Sequence, residues 1–326
     1  MTLAKVFIDG EAGTTGLEIS QRLQSRTDLE LLKVDPQRRK DTTHRQSLIN
    51  ASDITILCLP DTAAEHAASL VQNPSTRLLD ASSVHRTAQG WCYGLPELDA
   101  GQRQRIRNAS RVANPGCYPT GFILSVRPLI EAGILPPELP LTVHAISGYS
   151  GGGRQLIERF ETQHAAKPGG EWTVRPYCLT LDHKHLPEMQ VFSGTHQRPL
   201  FSPSVGAFYR GMLTHLPLFH QNLKGVDSPG VIQRILADRY ADEAFIRVHA
   251  TGAEDQLAEG YLSAQARNKD NGVDLMVFGN KDQSLVVARY DNLGKGASGA
   301  AIQNLNLMLN FAETCGLKGF HEDADG

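Results

Sequence analysis

The hydrophobic and polar positions alternate between two periods in the first third of the chain. Apolar runs at 4–9 (AKVFID), 29–34 (LELLKV) and 54–59 (ITILCL) read as strands, and the nearly unbroken third run suits a strand buried on both faces. Short apolar runs at 77–80 and 111–113 add two more. Between them, Leu17, Ile19 and Leu23 give a helical pattern over 15–23, and an alanine-rich stretch predicts a second helix over 62–71. Strands alternating with helices predict a doubly wound parallel sheet.

Beyond residue 140 the pattern changes. Strand-like runs fall at 141–146, 189–192, 244–248, 275–279 and 284–290, with helical stretches at 152–163 and 230–240. This mixture predicts a second, α+β domain with a mixed or antiparallel sheet. Ile302, Leu305, Leu309 and Ala312 place a last helix over 298–314. Neither an internal repeat nor a low-complexity linker interrupts the chain.

Composition narrows the classes. At 326 residues the chain suits two domains of the usual ~100–200 residues. A net charge of −3 provides no basic field for nucleic acid. The mean hydropathy is −0.28 and no apolar run approaches the ~18 residues of a membrane span, so no membrane partner is expected. The start, MTLAKVFIDG, lacks the pattern of a secretory signal. Five cysteines, an odd number with no CxxC pair, argue against a disulfide framework or structural zinc and for a reducing, cytoplasmic compartment.

Candidate chemistry sits at the turns. Gly10, Gly13 and Gly16 form G-x-x-G-x-x-G between the first strand and first helix, with Thr14 and Thr15 inside the motif. Glycines there let a pyrophosphate approach backbone N–H groups at a helix N-terminus. The second strand is read as ending at Asp35, followed by Arg38, Arg39 and Lys40. An acidic residue there suits a ribose hydroxyl, and the three cations suit a 2′-phosphate, which favours NADP over NAD.

The stretch NPGCYPT at 114–120 follows a short strand and precedes a helical pattern, placing Cys117 at a helix N-terminus. Free N–H groups and the helix dipole stabilise a thiolate there, and with Asn114 they can hold an oxyanion. The stretch DHKHLPE at 182–188 packs His183 and His185 near Glu188. No third ligand of suitable spacing accompanies the pair, so proton transfer to a thiol, with Glu188 orienting a ring, is favoured over a metal site. Two further glycine-rich segments, at 147–154 (with Gly151, Gly152 and Arg154) and at 291–299 (with Asn292 and Lys295), offer N–H groups and a cation each to an anion, or serve as plain turns.

Together the glycine turn at 10–16, DASSVHR at 80–86, YGLPEL at 93–98, NPGCYPT, the segment at 147–154, HKHLPE at 183–188 and the segment at 291–304 resemble the short-form N-acetyl-gamma-glutamyl-phosphate reductases of arginine biosynthesis. The resemblance implies a Rossmann-type NADP domain at 1–116 plus 296–326, and an α+β catalytic and dimerisation domain at 117–295. It implies NADPH-dependent reduction of an acyl phosphate to a semialdehyde, with release of inorganic phosphate, in a homo-oligomer (dimer or tetramer). Cys117 is then the nucleophile that forms a thioester, and His185, ahead of His183, is the acid/base. Gly10, Gly13, Thr14, Thr15, Gly16, Arg38, Arg39, Gly151, Gly152 and Asn292 hold the cofactor. Arg86, Arg154 and Lys295 are the candidates for the substrate's anionic groups. Two departures stand out: His-Lys-His replaces the family's His-Arg-His, losing a bidentate fork at Lys184, and Glu11 lies inside the nucleotide turn, where it must point away from a pyrophosphate. An aspartate-semialdehyde dehydrogenase-like substrate and a non-catalytic NADP-binding redox sensor are the rival readings.

Overall fold

The computed structural model describes residues 3–166 and 172–320. It divides into two compact units, Met1–Pro115 with Ala297–Leu317, and Gly116–Gly296 with Lys318–Gly326.

The first unit begins β1 (Ala4–Asp9), α1 (Thr14–Leu23), β2 (Leu29–Leu32), α2 (Thr42–Ala51), β3 (Ile54–Leu57) and α3 (Asp61–Ser69). It continues β4 (Arg77–Asp80), β5 (Cys92–Tyr93), α4 (Gln102–Asn108) and β6 (Arg111–Ala113). Its six strands run in the order β2-β1-β3-β4-β6-β5, all parallel, as the strand–helix alternation predicts. β1 pairs with β2 on one side and β3 on the other, so the strand order reverses at the end of β1. That switch point is where doubly wound sheets take their ligands. Every residue of β3 is buried, and the alanines Ala64, Ala67 and Ala68 let α3 lie close against Phe7, Leu57 and Leu78.

β2 stops at Leu32 rather than Asp35, because its register with β1 is exhausted at Phe7↔Leu32. Helices α2 and α4 had no counterpart in the pattern reading. α2 buries Ile49 alone, so almost no apolar stripe marks it.

The second unit holds α5 (Cys117–Glu131), β7 (Thr142–Gly148), α6 (Gly153–Ala166), β8 (Val174–Pro176), α7 (Leu186–Ser193), β9 (Leu200–Gly206) and β10 (Met212–Phe219). It goes on with α8 (Pro229–Arg239), β11 (Ile246–Val248), β12 (Leu257–Ala258), β13 (Tyr261–Leu262), β14 (Val273–Gly279) and β15 (Gln283–Tyr290). Seven strands form a mixed sheet in the order β11-β14-β15-β10-β7-β9-β8. α5 lies against β10 and β15 and is flanked by α7 and α8. From Tyr118 to Val126 every one of its residues is buried, which is what a helix apolar on all sides demands.

Residues 189–192 are helical, not a strand. Pro187 fits the first turn of α7, Glu188 complements the helix dipole there, and Gly194 at φ 87° ends the helix. β9 and β10 were missed because each carries a proline. Pro217 is tolerated because it lies past His215, where the pairing of β10 with β7 ends.

The chain then returns to the first unit with α9 (Gly299–Met308), all of whose residues are buried. α9 is shorter than the 298–314 pattern. Asn310 takes φ 58° and turns the chain away, while the Arg77 guanidinium caps the end by donating to Met308 O. Gly296 and Lys318–Phe320 group with the second unit rather than the first. Asn271 N donates to Lys318 O, and the Phe320 ring is flanked by Arg247 and Arg267, each 4.1 Å from its centroid.

Candidate active site

In the first unit the turn after β1 is shaped by backbone crowding. Gly10 has φ +93°, and a Cβ there would run into Cys58 O, at the end of β3. A Cβ on Gly16 would run into Gly10 O, and Gly13 N donates to Gly10 O at 3.0 Å. Gly13 is the N-cap of α1, with no side-chain cap and no acidic residue in the first turn, so the N–H groups around Thr14 and Thr15 face outward for an anion. Glu11 points away from them, its carboxylate accepting from Ser20 Oγ.

Asp9, buried at the end of β1, is gripped by Arg45 of α2 through Nε (3.0 Å) and Nη2 (2.7 Å). The sequence reading missed Arg45; a buried strand-end aspartate was the signal that a cation had to meet it. Arg38 pairs with Asp41 at 2.7 Å on an exposed turn, and that hydrogen bond, with the His44 N–H, holds the Asp41 carboxyl below its ordinary range. Arg39 and Lys40 are exposed beside it. Asp35 turns back on its own loop and accepts from Gln37 N.

The DASSVHR segment forms a buried polar knot. Asp80 holds His85 Nδ1 at 2.6 Å and both the N–H and hydroxyl of Ser82. The Arg86 guanidinium is buried and donates to Asn114 O at 3.0 Å. Asn114 Nδ2 donates to Ala297 O, and its Oδ1 accepts from Asn304. These contacts make Asn114 a tie between backbone segments.

In the second unit Cys117 is the first residue of α5, after the N-cap Gly116, and no side chain caps the helix. The buried Glu188 accepts the Gly116 N–H at 3.0 Å. The rings of His183 and His185 meet edge-on with centroids 4.6 Å apart, and each lies 5.9 Å from the ring of Tyr118, the neighbour of Cys117. His185 is buried, His183 half-buried and Lys184 exposed. Tyr118 shares a hydrogen bond with Ser147 Oγ (2.8 Å) and accepts one from Tyr177 (3.2 Å). Burial pushes the pKa of both phenols upward, so they stay protonated hydrogen-bond donors. Gly296 lies against Cys117: a Cβ there would be 2.9 Å from Cys117 Cβ.

Asn292 joins the two distant glycine-rich segments, donating to Ser150 Oγ (2.9 Å) and accepting from Gly211 N (2.8 Å). Gly151 lies against it. The fully buried Asp291 accepts from Lys269 N, Leu293 N and Arg210 Nη1. Arg210 and Tyr177 went unseen in the sequence; a buried arginine preceding the glycine that opens β10 was the available signal for the former. Lys295 is fully buried, its ammonium 5.7 Å from the Phe245 ring centroid. Arg154 stands apart, exposed on α6 and paired with Glu158 at 2.7 Å.

A parallel nucleotide-type sheet and a mixed-sheet unit with a cysteine at a helix start define an enzyme of the semialdehyde dehydrogenase class. Residues 117–292 match the family model described as the semialdehyde dehydrogenase dimerisation domain. Aspartate semialdehyde dehydrogenase II of Vibrio cholerae superposes with a TM-score of 0.70 at 15% identity, over 95% of this chain and 99% of that one. The Francisella tularensis aspartate semialdehyde dehydrogenase gives 0.69 at 14%, over 94% and 100%. Closer in sequence are N-acetyl-gamma-glutamyl-phosphate reductase 2 of Nostoc sp., 49% identical over 97% of this chain and 100% of that protein, and its Pseudomonas putida namesake, 47% identical over 95% and 98%. The chain belongs to the N-acetyl-gamma-glutamyl-phosphate reductase family of oxidoreductases. Among the described residues no helix is long and apolar enough to cross a membrane.

Proposed function

We propose that the chain catalyses NADPH-dependent reductive dephosphorylation of N-acetyl-glutamyl 5-phosphate to N-acetyl-glutamate 5-semialdehyde. One observation carries the reading: Cys117 opens the uncapped α5, and the histidine pair packs on the ring of its neighbour Tyr118. The near-half identity to proteins named for this substrate supports it.

Cys117 as thiolate attacks the acyl carbon, and the helix-start N–H group of Cys117 takes the developing oxyanion. The C–O bond to phosphate breaks, inorganic phosphate leaves with the electron pair, and a thioester remains on Cys117. NADPH, when bound, supplies the hydride that reduces this thioester. The resulting thiohemiacetal on Cys117 collapses to the semialdehyde and returns the thiolate. His185 takes the thiol proton, with His183 packed against it; Glu188 acts on the backbone by holding the Gly116 N–H.

The crowded turn at Gly10 and Gly16 fits a pyrophosphate, since a Cβ would fill the cradle, and Gly13, Thr14 and Thr15 supply its N–H groups. Arg38 and Arg39 would hold the 2′-phosphate. Gly151, Gly152 and Asn292 are the further residues that would hold the cofactor. Lys295, fully buried, and Arg210, paired with Asp291, are assigned to the substrate's anionic groups, while Arg154 is assigned no role. The matched dimerisation-domain model supports a homo-oligomer, and five free cysteines favour a reducing, cytoplasmic setting.

The test is phosphate-dependent NADP reduction with N-acetyl-glutamate 5-semialdehyde, run beside aspartate 4-semialdehyde. Cys117→Ser is expected to lower turnover at least ~10³-fold. Retention of more than roughly a tenth of the rate, or preference for the aspartate substrate, overturns the reading.

A further inference from the structure

Tyr290, the last residue of β15, is fully buried and pairs with Met212 of β10 and Val273 of β14, so its Cα is fixed inside the sheet. Its phenol reaches the first turn of α5. The hydroxyl donates to Cys117 O at 2.6 Å and accepts from Gly121 N at 3.0 Å. In a regular α-helix that carbonyl and that N–H, four residues apart, bond to each other. Here the phenol oxygen engages both. Gly121 makes the room: a Cβ there would lie 2.7 Å from the phenol oxygen, 2.9 Å from ring Cε1 and 2.5 Å from Thr214 Oγ1.

We propose that Tyr290 is a positioning residue for Cys117, its phenol setting the first turn of α5 and with it the direction and environment of the thiol. The proposal rests on Cys117 being the nucleophile. Two consequences follow from the geometry. The Cys117 carbonyl belongs to the residue that carries the thiol, and a donor on it offsets the negative end of a dipole that opposes a thiolate. The sheet-anchored ring also holds the turn against rotation, which a helix end does not do for itself. Burial raises the phenol pKa well above its ordinary value, which keeps the donated proton in place across the working pH range. The other groups around this turn are Glu188 at the Gly116 N–H, Tyr118 with its histidine pair, and the Gly296 backbone.

Tyr290→Phe keeps the ring and removes only the hydroxyl. The test reads three quantities: the melting temperature, kcat and KM in the phosphate-dependent assay, and the pH profile of Cys117 alkylation by iodoacetamide, located by mass spectrometry. We expect kcat to fall roughly 10- to 100-fold with KM nearly unchanged. The midpoint of alkylation is expected to rise by roughly half a pH unit. A folded Tyr290→Phe protein with wild-type kcat and alkylation profile overturns the proposal, as does a kcat loss with an unmoved profile, which marks a core-filling role. If that variant does not fold, Gly121→Ala decides on the same measures, since its Cβ displaces the phenol and leaves the hydroxyl present. Alkylation needs no substrate, so it reports on Tyr290 even if the assigned reaction is wrong. Failure of that reading shows separately, as activity retained by Cys117→Ser.

Discussion

Adding one methyl group at Gly296 tests how tightly Cys117 is held. The Cβ of Gly296→Ala would stand 2.9 Å from Cys117 Cβ, 3.2 Å from Asp291 O and 3.4 Å from Cys117 Cα. Carbon atoms in contact settle at about 3.5–4.0 Å, so roughly 0.6–1.1 Å must be found. Neither side yields easily. Asp291 O already accepts the Gly296 N–H at 3.0 Å, and the Cys117 backbone is held from the far side by Tyr290. The displaced atom is a backbone-proximal carbon, not the end of a flexible chain. Overpacking of this kind costs about 1–3 kcal/mol of stability. A shift of ~1 Å in a reacting group costs on the order of 10²-fold in rate. The assay is kcat/KM for the phosphate-dependent reaction, the alkylation rate of Cys117 and the urea midpoint, all against Gly225→Ala. Gly225 sits at φ +68° in open space, so its alanine variant carries a backbone cost of ~1 kcal/mol without touching the site. Gly296→Ala with wild-type kcat/KM and alkylation rate would refute the contact as a constraint on the thiol.

The cofactor and the pH dependence of stability give two further predictions. Arg38→Ala/Arg39→Ala should raise KM for NADPH by roughly 10- to 150-fold and leave that for NADH nearly unchanged; equal use of both cofactors by the unmodified chain would show the loop to be a solvated turn. Burial, reinforced by Asp274 and Asp291 and opposed by Arg267, pushes the Asp270 carboxyl from 3.8 up to about 6. A raised acid pKa means that the fold binds the proton more tightly than the unfolded chain does. The cost is therefore absent below about pH 4 and grows as pH rises through 6. Asp270→Asn should accordingly raise the urea midpoint more at pH 8 than at pH 5, and an equal offset at both pH values would sink the argument.

How much could be read from sequence follows from how local each feature is. The turn at Gly10–Gly16 and the helix opening at Cys117 are set by residues within seven positions of each other, so glycine spacing and apolar period expose them. The two histidines were legible as a pair but not as a partner of Tyr118, because their meeting depends on α5 and α7 packing together. Tyr290 and Gly296 act on Cys117 across more than 170 residues of chain, and nothing in their own neighbourhoods distinguishes a clamp from a strand end or a turn. Residues 189–192 failed for a different reason: so short a run, with three apolar residues and Gln190, fits either period, and only Pro187 and Gly194 at the ends decide for a helix. Arg154 illustrates the converse. Its place beside a glycine run suggested an anion site; as the second residue of α6 it is exposed and pairs with Glu158, a contact the run itself does not show.

The chain passes between its two units after Pro115, after Gly296 and after Leu317, and each side of the first two crossings is fixed within its own unit. In the second unit the crossing residues meet at the nucleophile: Gly116 precedes Cys117, and Gly296 lies on its Cβ. In the first unit Asn114 Nδ2 holds Ala297 O at 3.0 Å, while Arg86 and Asn304 hold Asn114 in turn. NPGC and GKGA, 180 residues apart in sequence, therefore work as a double strand of backbone. That explains their small residues without appeal to flexibility: two backbones pass so closely at Gly296 that a single Cβ meets Cys117. It also separates two roles that NPGCYPT seemed to merge. Asn114 maintains the pairing of the two passages, while Glu188 accepts the Gly116 N–H just before the Cys117 thiol.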